Sequence, residues 1–539
     1  HQQMFPGVSI TSGTQLTYPQ GETGAQMLGY VRQISQDELA AHHDADYQLG
    51  DLYGQDGLEN TYQSYLRGTP GTNDVEVNAQ GQVVGSLGET APKAGDDVVT
   101  NIDTGLEQTL QGALDDKIAG LQGTVDSATG EVEHPTGGAA VALDPQTGAV
   151  LALVSAPTYN PSFWNSTDIS EASLKQLGSS TSDNAIDGYY TPGSTFKLAT
   201  ASAALQTGLI TPDFSYYDDG TFDIPGCRNG GQGCSPLHDN DGEVPDSSID
   251  VSQALTVSSD DFFYNLGAMF WDDYKTNGAY GEQPIETTAA AYGYGEKTGI
   301  DLPGEDAGDY ARVDSPTVDA KEHAQDPTDY PNGNVWTTGN NIELAFGQGQ
   351  TAITPIEQAV AYATFANGGT RYVPQIAAAV VSSSGRVIER FTPKVAGHVT
   401  LSPADHAAML SGFEGAVNAP GGTATSTFAG FPFDQLSLAG KTGTASATEQ
   451  VPTSWFVGWG PVNDPRYLIA VVIAKGGYGA SAAAPVARTG FEYLVSHPEA
   501  PVALPAPPSG SGPGGTTQAA KAPAHRAPKG EASGRPRSP

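Results

Sequence analysis

Thr191-Pro-Gly-Ser-Thr-Phe-Lys-Leu-Ala-Thr200 reads as a turn that feeds a helix. Pro192 and Gly193 suit a helix entrance, and the Ala-rich run from Phe196 to Leu205 favours helix until Gly208 stops it. The spacing predicts Ser194 in the first turn, with Lys197 one turn later on the same face. A serine hydroxyl becomes an effective nucleophile only when a base takes its proton, and a lysine at i+3 is within reach. A helix N-terminus adds unpaired N–H groups and a positive dipole end, which favour the anion formed on attack. An amphipathic helix that merely begins with Ser and carries one Lys has the same pattern. Two facts add weight to the chemical reading: no other Ser-x-x-Lys occurs in the 539 residues, and two partner motifs follow downstream.

The first partner is Ser258-Ser-Asp260, followed by Asp-Phe-Phe-Tyr-Asn265. Alone it carries nothing, because Ser and Asp are common in turns and caps. The second is Lys441-Thr442-Gly443-Thr444, in a strand-like run after Ala439-Gly440. A strand edge carrying Lys and Thr beside a cleft can hold a substrate carboxylate, and Gly443 is expected to let the substrate backbone approach closely. Lys-Thr-Gly occurs again at Lys297–Gly299, after Tyr292-Gly-Tyr-Gly-Glu and before Ile-Asp-Leu-Pro-Gly. That copy sits among turn residues and is expected to be structural.

The chain is long enough for two or three domains with one large core among them. Its 61 acidic against 24 basic residues, a net charge of −37, argue against nucleic acid or an anionic membrane surface as partner. Residues 1–30 lack the basic and apolar regions of a signal peptide, and the longest clearly apolar run, Tyr467–Ala474, is far short of a membrane span. An ectodomain whose leader and anchor precede His1 is the favoured expectation. Cys227 and Cys234 enclose a Gly-rich loop, read as a small disulfide; a metal site with His238 and Asp239 is the rival, but zinc usually takes tighter Cys spacing. His42-His43-Asp44 is read as an exposed helix end, and no metal or cofactor is expected.

In chain order, helical character is expected at 36–45 and 57–66, a hairpin at 75–84, and a boundary in the polar stretch 85–97. A helix should cover 104–121, then two strands at 139–143 and 149–154, too apolar for a one-faced sheet. Residues 211–248 form an irregular insertion. Thr354-Pro-Ile-Glu357 has N-cap, N1 and capping-box signals for a helix that ends at Asn367-Gly-Gly. Strands are expected at 436–444, 454–459 and 467–474, a last helix at 486–495, and a disordered tail from 501.

Ser-x-x-Lys, Ser-x-Asp or Asn, and Lys-Thr-Gly in this order resemble the active-site set of the penicillin-recognising serine acyltransferases, and class B penicillin-binding proteins in particular. The resemblance extends to Gly57-Leu-Glu59 with Leu66-Arg-Gly-Thr69, Val99–Asp103, Ala142–Gly148, Thr298–Glu305, Gly347-Gln-Gly349, Gly440–Ala445 and Trp455–Gly458. It implies an α+β transpeptidase fold: an antiparallel sheet covered by helices on both faces, a helical subdomain, and a truncated N-terminal pedestal. The domains would be 1–96 (pedestal), 97–500 (transpeptidase) and 501–539 (tail). By resemblance, Ser194 attacks the penultimate D-Ala carbonyl of a peptidoglycan stem peptide and Lys197 accepts its proton. Backbone N–H groups of Ser194 and Thr444 would form the oxyanion hole, Ser258 would relay a proton to the leaving amine, and Lys441, Thr442 and Thr444 would hold the terminal carboxylate. β-Lactam antibiotics would acylate the same serine, a cell-wall synthesis complex is a possible partner, and the location would be the extracytoplasmic face of the plasma membrane.

A lysine is ordinarily protonated at neutral pH, so its use as a base costs roughly 4–5 kcal/mol unless the site compensates. Asp260 stands where the family more often has Asn, and an ionised carboxylate cannot donate to a substrate carbonyl as an amide can. Asp260 is therefore expected to pair with one of the two lysines. A β-lactamase, a D,D-carboxypeptidase and a penicillin-binding sensor or scaffold remain as rivals. Glu414-Gly-Ala-Val-Asn418 superficially resembles a deacylating segment but reads better as ordinary helix.

Overall fold

The computed structural model describes residues 15–498 apart from 42–46, 81–82, 127–129, 167–168, 226–235, 239–244, 277, 307–309, 329, 331–332, 334 and 448–449. The expectations for Cys227 and Cys234, for His42-His43-Asp44 and for the tail lie outside the described residues. At the centre is a five-stranded sheet built from β1 (Gly137–Leu143), β2 (Val150–Ala156), β3 (Ala439–Ala447), β4 (Gln450–Gly460) and β5 (Tyr467–Ala474). The spatial order is β3-β4-β5-β1-β2, and every pairing is antiparallel. β3 is thus an edge.

Period-two alternation splits the sheet between two cores. Ala139, Val141, Trp455, Val457, Leu468, Ala470 and Val472 face one core; Ala140, Ala142, Phe456, Ile469, Val471 and Ile473 face the other. Both faces are covered, as the absence of polar alternation in the sequence required. The second core lies under α1 (Thr104–Leu121), which Asp103 caps at Gly105 and Leu106, and under the last helix Ala483–Ser496. The first lies under a helical subdomain: α2 (Lys197–Thr207), α3 (Val251–Val257), α4 (Asp260–Thr276), α5 (Pro355–Ala366) and α6 (Pro403–Asn418). In α5 the Thr354–Glu357 capping box forms as its sequence indicates. Trp459 of β4 meets Tyr362 and Phe365 of α5 and Phe413 of α6 at centroid distances of 6.0, 5.9 and 5.5 Å. Removing an aromatic side chain of this kind costs about 3–5 kcal/mol.

Three local expectations change. The strand that carries the Lys441-Thr-Gly443 motif enters the ladder at Ala439 rather than at 436; Leu436 and Leu438 are buried without being paired, so their apolar character marked burial and not a strand. The polar stretch at 85–97 is, in its first part, the return strand Val83–Thr90 of a hairpin with Thr72–Val77. Residues 57–66 form two short helices, Gly57–Thr61 and Gln63–Leu66, broken at Tyr62. Met27, Leu58 and Tyr62 are buried in the first core, and Tyr62 OH donates to Asp301 at 2.6 Å, so this N-terminal stretch packs directly on the sheet-bearing part.

Candidate active site

Ser194 lies on a single 3-10 turn, Gly193–Phe196, and the α-helix begins only at Lys197. Gly193 makes that turn possible: its φ is +54°, and a Cβ there would lie 2.6 Å from the carbonyl oxygen of Thr444. The turn therefore rests directly on the backbone of edge strand β3. Gly193 N donates to Gly347 O at 2.9 Å, Trp455 Nε1 donates to Thr191 O at 2.9 Å, and Tyr362 OH donates to Thr195 O at 2.8 Å. Ser194 is buried, yet its hydroxyl makes no hydrogen bond among the described residues.

Lys197 faces elsewhere. Its Nζ donates to Ser258 O at 2.7 Å, Ser259 O at 3.2 Å and Asp260 Oδ1 at 2.5 Å, with Ser258 Oγ at 3.3 Å and the Phe263 ring centroid at 5.1 Å. Two carbonyls and a carboxylate are acceptors only, which matches the three N–H donors of an ammonium. The expected pairing of Asp260 with a lysine is present, and the partner is Lys197; no Lys197–Ser194 hydrogen bond accompanies it. Both side chains are buried, and a pair of this kind, once broken on one side, typically costs about 3–5 kcal/mol.

The backbone explains why three consecutive residues converge on one ammonium. Ser258 is the C-cap of α3, with φ +61°, and Asp260 is the first residue of α4. A left-handed residue between two helices turns the chain sharply, and carbonyls at a helix end attract a cation. Ser258 Oγ then receives a hydrogen bond from Lys441 Nζ at 2.7 Å, so the hydroxyl sits between the two lysines. Lys441 also donates to Thr442 O at 2.9 Å.

On β3, side chains alternate. Thr442 Oγ1 donates to Thr423 Oγ1 at 2.8 Å, and Thr444 Oγ1 accepts from Gly479 N at 3.4 Å. Gly443 is also needed for packing within the chain. A Cβ there would meet Pro192 O and Thr195 Cγ2 at 2.8 Å and Trp455 Cβ at 3.0 Å, so the missing side chain makes room for the Ser194 turn. The second Lys-Thr-Gly is far simpler: Thr298 N and Oγ1 donate to Glu305 Oε1 at 2.6 and 2.5 Å, Gly299 N donates to Glu305 Oε2 at 3.1 Å, and Lys297 is exposed. Glu414 lies within α6 and makes no hydrogen bond to Ser194, Ser258 or either motif lysine among the described residues.

Residues outside the motifs also reach the site. Asp218 Oδ2 accepts from Ser259 Oγ at 2.6 Å, and Tyr216 OH donates to Asp261 Oδ1 at 2.8 Å; burial pushes the Asp261 carboxyl up to about 6. Gln348 Nε2 donates to Thr444 O at 3.3 Å. Asp218 and Tyr216 lie in the irregular insertion, where no motif or periodicity singles them out. Gln348 had a signal, the Gly-Gln-Gly that belongs to the resemblance.

Residues 138–492 match the family model of the penicillin binding protein transpeptidase domain, and residues 1–100 match that of the penicillin-binding protein dimerisation domain. The peptidoglycan D,D-transpeptidase MrdA of Acinetobacter baumannii is 28% identical over 517 residues, covering 91% of this chain and 67% of the relative. A structure of PBP2 from Pseudomonas aeruginosa in complex with WCK 5153 is 27% identical, with a TM-score of 0.69, covering 90% of this chain and 91% of that one. A chain from a peptidoglycan synthase complex, solved to show structural coordination of polymerization and crosslinking, is 27% identical with a TM-score of 0.70, covering 90% of this chain and 76% of that one. The matched domains, the two-faced antiparallel sheet and the ordered motifs agree: this chain belongs to the penicillin-binding protein transpeptidase family, in its class B branch.

Proposed function

We propose that this chain is a serine D,D-transpeptidase that cross-links peptidoglycan stem peptides through an acyl-enzyme on Ser194. The observation that carries the reading is the position of Ser258 Oγ between Lys197 Nζ and Lys441 Nζ, next to a buried serine turn that rests on an edge strand. Ser194 attacks the penultimate D-Ala carbonyl, and the peptide bond to the terminal D-Ala breaks. In the resting arrangement the Lys197 N–H groups are all directed at the 258–260 turn, so Lys197 acts as base only after giving up one proton. Asp260 Oδ1, at 2.5 Å, is the nearest carboxylate to take it. The lone pair so released then accepts the Ser194 proton.

Ser258 passes a proton to the departing amine, and its contact with both lysines suits that relay. The N–H groups of Ser194 and Thr444 would hold the oxyanion, a contribution on the order of 100-fold per donor; the close approach of the turn to the Thr444 backbone supports this pairing. Lys441, Thr442 and Thr444 receive the terminal carboxylate, and Gly443 keeps the turn against the strand. An amine of a neighbouring stem peptide resolves the acyl-enzyme. β-Lactams acylate Ser194 by the same steps. Residues before Asp97 serve as pedestal and residues 97–500 carry the transpeptidase. Work on peptidoglycan places the domain outside the cytoplasmic membrane, and the relative found in a synthase complex supports assembly with a glycan polymerase.

A fluorescent penicillin tests the reading. The wild-type chain should acquire a label that persists for hours, and Ser194→Ala should acquire none; rapid loss of label would instead mark a β-lactam hydrolase. Lipid-linked substrate with an acceptor strand, read by mass spectrometry, should yield cross-linked dimers, and trimmed monomers alone would make the enzyme a carboxypeptidase.

A further inference from the structure

The insertion between α2 and α3 reaches the active site through its described strands. Tyr216–Asp218 pairs antiparallel with Ser247–Ile249, and Ile249 is followed directly by Asp250, the N-cap of α3. Alternation along the first strand turns Tyr216 and Asp218 inward, while Tyr217 between them is 57% exposed. The two inward side chains grip the residues on either side of Asp260. Asp218, fully buried, accepts from Ser259 Oγ at 2.6 Å and from Gly220 N at 3.0 Å. Tyr216 donates to Asp261 at 2.8 Å and sets its ring edge-on to Phe262, with centroids 6.1 Å apart.

The gripped segment needs such support. Ser258 holds a left-handed backbone at φ +61°, a conformation that is strained for a residue with a Cβ. Conformations of this kind persist when the surroundings over-determine them. Ser259 is tied from three directions: its hydroxyl donates to Asp218 and accepts from Phe262 N at 3.0 Å, and its carbonyl accepts from Lys197. A shift at Ser259 would move the Ser258 carbonyl, the Ser258 hydroxyl and the Asp260 carboxylate together, all of which contact Lys197. A fully buried carboxylate held by one serine hydroxyl and one backbone N–H is an expensive anchor unless that serine must be held closely.

We infer that Asp218 and Tyr216 are positioning residues for acylation: the insertion clamps the Ser258–Asp261 turn so that Ser258 and Asp260 meet the two lysines. Neither residue hydrogen-bonds Ser194, Lys197 or Lys441, so their effect passes through Ser259 and Asp261. The inference rests on the acyltransferase reading above. It also gives the insertion a task that nothing in its composition indicated.

Stopped-flow acylation with a fluorescent penicillin, run over a range of concentrations, separates the Kd of the noncovalent complex from the acylation rate constant. Asp218→Ala should lower the rate constant about 10–100-fold, the scale expected when reacting groups are displaced by an ångström or so, while Kd stays within about threefold. Asp218→Asn keeps an oxygen that can accept from Ser259 and should recover most of the rate. Tyr216→Phe should lower the rate constant about three- to tenfold by the same route. Melting temperatures of all variants are measured alongside. Wild-type rate constants in Asp218→Ala and Tyr216→Phe would overturn the inference, as would parallel losses in rate, affinity and melting temperature without rescue by Asn. Should Asp218→Ala fail to fold, Tyr216→Phe and Asp218→Asn carry the test: a lowered rate constant in the first with near-wild-type acylation in the second sustains it, and unchanged acylation in the first overturns it. A wild-type chain that takes no label at all would defeat the acyltransferase reading itself, a result distinct from labelled wild type with indifferent variants.

Discussion

Lys-Thr-Gly occurs twice in this chain, and the two copies share nothing but their letters. At 441–443 the lysine is fully buried, donates to Ser258 and stands on the edge strand of a five-stranded sheet. At 297–299 the lysine is exposed, and a single carboxylate, Glu305, holds the threonine and glycine of an irregular turn. Even the glycines are required for opposite reasons. Gly299 has φ +80° with its nearest neighbour at 3.6 Å, so it needs freedom of backbone; Gly443 lies where a Cβ would collide with Pro192 and Thr195, so it needs an empty volume. A short motif therefore has chemical meaning only through what its element faces.

The largest test of that contrast exchanges each lysine for alanine. Lys441→Ala should lower penicillin acylation about 1000-fold, within the span seen when a group acting directly on a transferred proton is lost. Lys297→Ala should acylate at the wild-type rate, and a loss in both would break the contrast. Gly443→Ala comes next: the intruding methyl must push the Ser194 turn off β3, with an expected loss of about 100-fold in acylation. Gly299→Ala should instead leave acylation intact and reduce stability by about 1–2 kcal/mol, read from denaturant unfolding.

A smaller effect concerns the charge that surrounds the functional copy. Asp260→Asn removes the carboxylate that receives the Lys197 proton in the proposed acylation, so the acylation rate constant should fall about tenfold. An unchanged rate constant would show that Asp260 has no part in that proton transfer.

The smallest effect belongs to the structural copy. Gly295 N, two residues before Lys297, donates to Glu357, whose carboxyl burial pushes up to about 8. The folded state thus keeps a proton that the unfolded chain releases near pH 4.5. Stability should be greatest below that ordinary value and fall as pH rises through the window up to about 8. Glu107 and Glu286, both raised to about 7 chiefly by burial, act with the same sign. Melting temperature should decline between pH 5 and pH 8, and Glu357→Gln should flatten that decline; a slope unaffected by the substitution would assign it to the other carboxyls.

Much of this molecule is legible in local sequence because the causes are local. The capping box at Thr354–Glu357, the helix over 104–121 and the continuous apolar runs of β1 and β5 depend on residues a few positions apart. The order of the motifs indicated the acyltransferase site, and the replacement of Asn by Asp at 260 was enough to anticipate an ion pair with a lysine. The onset of β3 at Ala439, the 3-10 turn under Ser194 and the break at Tyr62 were less accessible. Each is set by packing against distant chain, as with Gly193 against Thr444.

The sequence by itself determined which groups are available: one Ser-x-x-Lys, the acidic Ser258-Ser-Asp260, an apolar sheet and a lysine on one of its strands. Tertiary structure decided how they are joined. Asp260 chose Lys197 over Lys441, Lys197 turned from Ser194 toward the 258–260 turn, and Gly443 served the nucleophile turn. It also brought Asp218 and Tyr216, invisible as motif, to either side of Asp260. The physical reason is range. Propensity and capping act over a few residues, whereas a buried hydrogen bond or a missing Cβ acts over a few ångströms between segments far apart in the chain, as Gly193 and Thr444 are at 251 positions.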